Sequence, residues 1–234
     1  MSEKIALITG ASKGFGYSLA KDLASKGWKL LLTARDAARL LSVKIELSTH
    51  TEVLAISGDV RDEVHLLELG QLLRDKSWKL DLLVNNASAL GPSPMLSLRE
   101  HPIEEMHLVL HTNMIAPISL LQKVYPQLRE GAKIINLSSD AAVEAYESWG
   151  VYGASKAGLD HMTAVLEKEN PSCRFYAFDP GDMRTDMHQA AFPQEDISDR
   201  PLPEEFALPA AWEIIEKPLP SGRYTPQSII KETL

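Results

Sequence analysis

The sequence predicts an α/β protein built on a doubly wound parallel sheet, with helices on both faces. Three observations lead there. Short apolar runs recur along almost the whole chain, longer segments with helical spacing separate them, and a glycine cluster directly follows the first run. Runs that are continuously apolar, rather than alternating, suit strands covered on both faces.

Residues 5–8 form the first predicted strand, and 30–33, 53–56, 82–84, 134–137 and 174–178 continue the series. Helices are predicted over 16–26, 61–76, 102–128 and 152–169. This rhythm implies right-handed crossovers between parallel strands. No repeat or linker interrupts it, so residues 1–234 read as a single domain. From 186 to 220 the chain turns rich in proline and acid, too punctuated for one long helix, though 209–216 suits a short one. Ser221-Gly222-Arg223-Tyr224 reads as a turn entering a last short strand.

Composition excludes several classes. The formal net charge of −8 opposes nucleic acid and anionic membrane. The single cysteine, Cys173, allows no intramolecular disulfide, and C-R-F-Y-A-F suggests a buried strand position for it. No run approaches the ~18 apolar residues of a membrane span. The first strand begins near Lys4, which leaves no room for a signal peptide, so a cytoplasmic protein is expected. His107 and His111 share a helical face without an evident third ligand, so no metal site is expected.

Gly10, Gly14 and Gly16 stand between the first strand and the first helix. Glycine permits a tight turn and a close backbone approach to a pyrophosphate, which the helix N-terminus attracts. This placement marks a dinucleotide site and a Rossmann fold. The second strand ends in Thr33-Ala34-Arg35-Asp36, and alanine cannot supply the carboxylate that binds the ribose diol of NAD. Arg35, helped by Lys13, suits a 2′-phosphate instead, which favours NADP(H). Asp59 ends the third strand, either to accept from the adenine amino group or to cap the helix near Arg61; the two are compatible.

Tyr152 and Lys156 lie four residues apart on a predicted helix and so share a face. A tyrosine titrates near pH ~10, and a neighbouring cation favours its phenolate. Lys156 is the evident source of that charge.

With T-G-A-S-K-G-F-G, Asp59-Val60, Asn85-Asn86-Ala87, Asn113, Ser139, Tyr152-x-x-x-Lys156 and Pro180-Gly181 in this order, residues 4 to about 187 resemble the single-domain branch of the short-chain dehydrogenases/reductases. The resemblance implies roles. Tyr152 is the general acid toward a carbonyl oxygen, Ser139 hydrogen-bonds that oxygen, Lys156 holds the nicotinamide ribose and lowers the tyrosine pKa, and Asn113 holds a water linking Lys156 to solvent. Gly10, Ser12, Lys13, Gly14, Phe15 and Gly16 would cradle the cofactor, with Arg35, Asp59, Val60, Asn86 and Ala87 along its adenosine half. Pro180, Gly181, Met183 and Thr185 would wrap the nicotinamide end.

Ser88 departs from the glycine the family usually places after Asn-Asn-Ala, and a slightly altered turn is expected there. The tail lacks the longer helix that many relatives use for tetramers, which leaves a homodimer through the two long helices, 102–128 and 152–169. G-F-G, Trp149 and Thr185-Asp186-Met187 also resemble sepiapterin reductases and bacterial diketone reductases. The carboxylate expected after the late Ser-Gly for a pterin is replaced by Arg223. Trp149 and Met187 are candidates for substrate contact, although Trp149 equally suits packing beneath the tyrosine helix. Residues 186–220 are expected as a substrate loop or lid, and Met183, Met187, Phe192 and Ile197 suit either such a lid or packing against the body. The expected activity is NADPH-dependent reduction of a small or medium carbonyl compound; the alternative is a catalytically silent NADP(H) sensor.

Overall fold

A computed structural model describes residues 3–232. Seven parallel strands form one sheet in the order β3-β2-β1-β4-β5-β6-β7. They are β1 (Ile5–Thr9), β2 (Lys29–Ala34), β3 (Val53–Ser57), β4 (Leu80–Asn85), β5 (Leu128–Leu137), β6 (Arg174–Phe178) and β7 (Gly222–Tyr224). The order reverses between β1 and β4, so a crevice opens beyond the carboxyl ends of these two strands.

The continuous apolar strands divide their side chains between two cores. Ala6, Ile8, Leu30, Leu32, Ile135, Tyr176 and Phe178 join one cluster. Ile5, Leu7, Leu31, Ile134 and Phe175, their neighbours in sequence, join the other. Period-two alternation therefore persists within unbroken apolar runs because both faces are covered. The first core takes Leu19 and Leu23 of α1 (Gly14–Ser25), Leu40, Val43 and Leu47 of α2 (Ala37–Leu47) and Ile214 of α8 (Ala207–Glu216). The second takes Leu66, Leu69 and Leu73 of α3 (Glu63–Asp75) and Leu120 and Val124 of α5 (Ala116–Val124).

Several expectations need correction. Helix α2 was absent from the sequence reading; Asp36 caps it by accepting from the Arg39 amide at 3.0 Å. The long helix expected over 102–128 is broken into α4 (Ile103–Leu110), a π turn at His111–Ile115, and α5, and Leu128 already belongs to β5. In the π turn the Ala116 amide reaches back to the His111 carbonyl, adding one residue to the turn. Asp62, not Asp59, caps α3 by accepting from the Val64 amide. Cys173 is buried, as expected, but sits one residue before β6.

The expected lid over 186–220 is smaller than predicted. Its second half is α8, whose Ala207, Ala211 and Ile214 are fully buried against the core, so this part is body. Its first half carries the short α7 (Asp186–Ala191), capped by Thr185. Helix α6 runs Gly150–Glu169, and α9 (Pro226–Glu232) closes the described chain. No helix among the described residues is long and apolar enough to cross a membrane.

Candidate active site

The glycine loop is shaped by what lies against it. Gly10 and Gly14 have φ of +66° and +56°, the left-handed region that glycine occupies without strain. A Cβ on Gly10 would stand 2.7 Å from Asn86 Nδ2, and one on Gly16 would stand 2.6 Å from the Gly10 carbonyl. The Asn86 amide earns that proximity by donating to the Thr9 and Gly10 carbonyls at 2.9 and 3.1 Å. Thr9 Oγ1 in turn accepts from the Asn86 and Ala87 amides at 3.0 Å each. Side chains thus stitch the ends of β1 and β4 together at the crevice.

A cavity of about 330 Å³ opens there. Ser12, Lys13, Phe15, Arg35, Val60 and Ala87 line it, as do Gly10, Gly14, Asp59, Asn86, Met183 and Thr185. Gly16 does not; it lies beneath, where its missing side chain admits Asn86. The Asp59 carboxylate is held by its neighbour. Both its oxygens accept from the Arg61 guanidinium at 2.7–3.2 Å, and Oδ1 takes the Arg61 amide as well, while the group still lines the cavity. Arg61 holds the Asp59 carboxyl below the usual carboxylate range.

A second cavity, about 130 Å³, adjoins the first through Phe15, Asn86, Ser88, Met183, Thr185 and Met187. Ser139, Trp149, Tyr152, Lys156, Pro180 and Gly181 line it. Lys156 is only 2% exposed, and its ammonium donates to the Leu137 carbonyl at 2.6 Å while lying 5.5 Å from the Tyr152 ring centroid. Burial pushes Lys156 down to about 8, against the pull of Asp160 and Asp179. Burial also pushes the Tyr152 hydroxyl up to about 12, opposed by hydrogen bonding from Ser139 and Ser88. Lys156, expected to pull on this phenol, has its ammonium on the Leu137 carbonyl here. Trp149 meets both readings made of it: it lines the cavity and packs edge-on against Tyr152 at 5.6 Å.

Asn113 lines neither cavity. It is 1% exposed and all its side-chain groups have protein partners. Oδ1 accepts from the Ala89 amide and the Ser88 hydroxyl, and Nδ2 donates to the Ala89 carbonyl and Ser155 Oγ, at 2.7–3.1 Å. Its side chain anchors the loop after β4.

Residues 4–196 match the family described as short chain dehydrogenase. The chain belongs to the short-chain dehydrogenase family. It is 32% identical over 195 residues to a benzil reductase ((S)-benzoin forming) of Saccharomyces cerevisiae, covering 80% of this chain and 74% of that protein. Over 176 residues it is 34% identical to the rhamnolipids biosynthesis 3-oxoacyl-(acyl-carrier-protein) reductase of Pseudomonas aeruginosa, covering 72% and 68%. A short chain dehydrogenase from Shigella flexneri, complexed with NADP, superposes with a TM-score of 0.90 at 25% identity over 97% of this chain and 98% of that one.

Among the residues of this short-chain dehydrogenase site that sequence reasoning missed, four carry charge or can do so. Arg39 lines the larger cavity, one helical turn after Arg35, on the helix that was not foreseen. Asp186 lines it too, 2.9 Å from Lys13 and 3.6 Å from Arg39. His188 lines the smaller cavity. Arg223 stands behind it, donating to the Ser139 carbonyl at 2.9 Å and to Asp179 and Asp160 at 3.0 Å. The Arg35 to Arg39 spacing was the one readable signal among these.

Proposed function

We propose that the protein is an NADPH-dependent reductase of small or medium uncharged ketones, diketones or aldehydes. The observation that carries this reading is the pair of adjoining cavities: one holds glycines and three cations, and the other presents the Tyr152 and Ser139 hydroxyls. The first fits a phosphorylated dinucleotide. Its Gly10 and Gly14 turns expose backbone to phosphate, and Lys13, Arg35 and Arg39 surround the place for a 2′-phosphate. When bound, the cofactor supplies the hydride.

Ser139 and Tyr152 hold the carbonyl oxygen between two hydroxyls. Tyr152, kept protonated by burial, gives its proton to that oxygen as negative charge develops there. Lys156 supplies positive charge beneath the phenol and a donor toward the ribose. Residues 186–206, with Met187 and His188 on the cavity wall, act as the substrate loop. Asp140, Asp179 and Asp182 line the cavity beside Lys156, and Arg223 pairs with Asp179 behind it; the remaining acidic rim disfavours anionic carbonyl compounds. The aromatic wall of Trp149, with Phe192 5.8 Å behind it, suits flat apolar groups such as those a benzil reductase handles. A homodimer through α4 to α6 completes the proposal, since Ile103, Ile115 and Val165 remain exposed there.

The test is NADPH consumption with a panel of aromatic diketones, aldehydes and keto acids, beside Tyr152→Phe. Turnover of the uncharged compounds, lowered about 10²–10⁴-fold in the variant, is expected. Full activity in Tyr152→Phe, or preference for the keto acids, overturns the reading.

A further inference from the structure

One guanidinium brackets the segment that carries Ser139 and the helix that carries Tyr152. Strand β5 ends at Leu137, and the Ser138 amide still bonds to the neighbouring strand, at the Phe178 carbonyl, 2.7 Å away. Ser139 lies beyond, extended, at the start of the short turn Asp140–Ala142. Within that turn its carbonyl accepts from the Ala142 amide at 3.0 Å. Arg223 Nη2 donates to the same carbonyl at 2.9 Å and ties it to the sheet, since Arg223 stands in register with Ala177 of β6. Arg223 Nε donates to Asp160 on α6 at 3.0 Å. Tyr152, Lys156 and Asp160 follow at intervals of four on that helix, so the carboxylate Arg223 grips shares a face with the phenol.

Asp179 completes the arrangement. Its Oδ2 accepts from Arg223 Nη2 at 3.0 Å, and its Oδ1 accepts from the Gly181 amide, also at 3.0 Å. The Asp179 side chain is 8% exposed and that of Asp160 15%, so salt and water screen these bonds little.

We propose that Arg223 is a positioning residue for carbonyl reduction, which sets the separation of the Ser139 and Tyr152 hydroxyls by holding the Ser139 carbonyl and Asp160 at once. The proposal rests on the reading of those hydroxyls as the pair that holds the carbonyl oxygen. Arg223 lines neither cavity and acts through Ser139. Two donors aimed at one oxygen must keep their spacing while charge develops there, and a displacement of about 1 Å can cost about 10²-fold in rate. A guanidinium suits this task because its donors leave a rigid plane in fixed directions. A lysine ammonium is a point charge on a flexible stem and cannot hold both elements in the same geometry.

The experiment is a double-mutant cycle. Single-turnover reduction under saturating NADPH is compared in wild type, Arg223→Gln, Ser139→Ala and the double variant, using the carbonyl compound of the panel above that reacts fastest. Arg223→Gln should lower the rate about 10–100-fold. In the Ser139→Ala background the same substitution should change it by less than about twofold, because no serine hydroxyl is left to misplace. The loss of unfolding stability should instead be equal in both backgrounds, since the Ser139 carbonyl and both carboxylates remain. Arg223→Lys serves where Arg223→Gln folds poorly, with the same pattern at smaller amplitude.

Equal rate losses in the two backgrounds overturn the proposal. They would come from the unpaired Asp179 charge or a loosened fold, neither of which needs the serine hydroxyl. An unchanged rate in Arg223→Gln overturns it too. Full activity in Ser139→Ala or Tyr152→Phe overturns the underlying reading of the site as well. Losses in those two variants without coupling to Arg223 overturn this role alone.

Discussion

The Arg223 guanidinium, carried on the last strand, lies 3.0 Å from the Asp179 carboxylate at the end of the neighbouring one. The same side chain reaches Asp160 on α6 and the Ser139 carbonyl, so three elements of the smaller cavity share one cation. Asp179 and Asp160 are both held above the ordinary carboxylate range, first of all by burial.

Removing that cation leaves two enclosed carboxylates without their partner. Arg223→Leu is expected to cost about 3 kcal/mol of folding stability, the lower end for breaking a buried pair, because the guanidinium retains some solvent contact. Denaturant unfolding reads the loss. Arg223→Lys should recover only part of it, since one ammonium cannot span all three acceptors.

Asp186 occupies two of the cations that the proposed cofactor would claim. Asp186→Asn should therefore tighten NADPH binding, by no more than about fivefold, because both ion pairs are exposed and such pairs contribute at most ~1 kcal/mol. NADH, which lacks the 2′-phosphate, should gain much less. Titration calorimetry with the two cofactors separates the cases, and an equal gain for both would sink the assignment of Lys13 and Arg39.

Gly16 is a packing requirement rather than a lining residue. Its added methyl group would stand 2.6 Å from the Gly10 carbonyl and would also strike the Asn86 amide. Gly16→Ala should cost about 1–3 kcal/mol as overpacking does and should weaken dinucleotide binding by shifting Asn86. Melting temperature and binding, measured on the same variant, should fall together.

His65 gives the fold a pH dependence apart from the chemistry. Its Nε2 meets Thr33 Oγ1 at 2.7 Å in the interior, and burial holds the imidazole below its ordinary range. A group depressed on folding contributes stability that is present above its unfolded value, near pH ~6.5, and lost as pH falls through the lower folded value. Between about pH 7 and 5 the melting temperature of the wild type should therefore fall more steeply than that of His65→Gln.

The strands were legible because runs such as Ile5-Ala6-Leu7-Ile8 are apolar at every position, which only a two-sided sheet requires. Tyr152 and Lys156 were legible because helical spacing alone brings them to one cavity. Helix α2 was hidden by its own exposed Leu41 and Ile45, which blur the stripe made by Leu40, Val43 and Leu47. The anchoring by Asn113 depends on a π turn, and no local residue pattern announces that extra residue. Arg223 meets partners 44 to 84 positions away, through strand pairing that a local window does not contain. Ser88 was visible as a departure, but its hydroxyl acquires meaning only once Asn113 is placed beside it.

Trp149 gives the protein an optical gauge of its own. Trp28 and Trp78 are buried in the interior, and Trp212 meets Trp28 edge-on. Trp149 stands instead on the cavity wall, edge-on to Tyr152. Its emission registers what enters that space without any attached dye, so occupancy and turnover can be followed as separate signals in one sample.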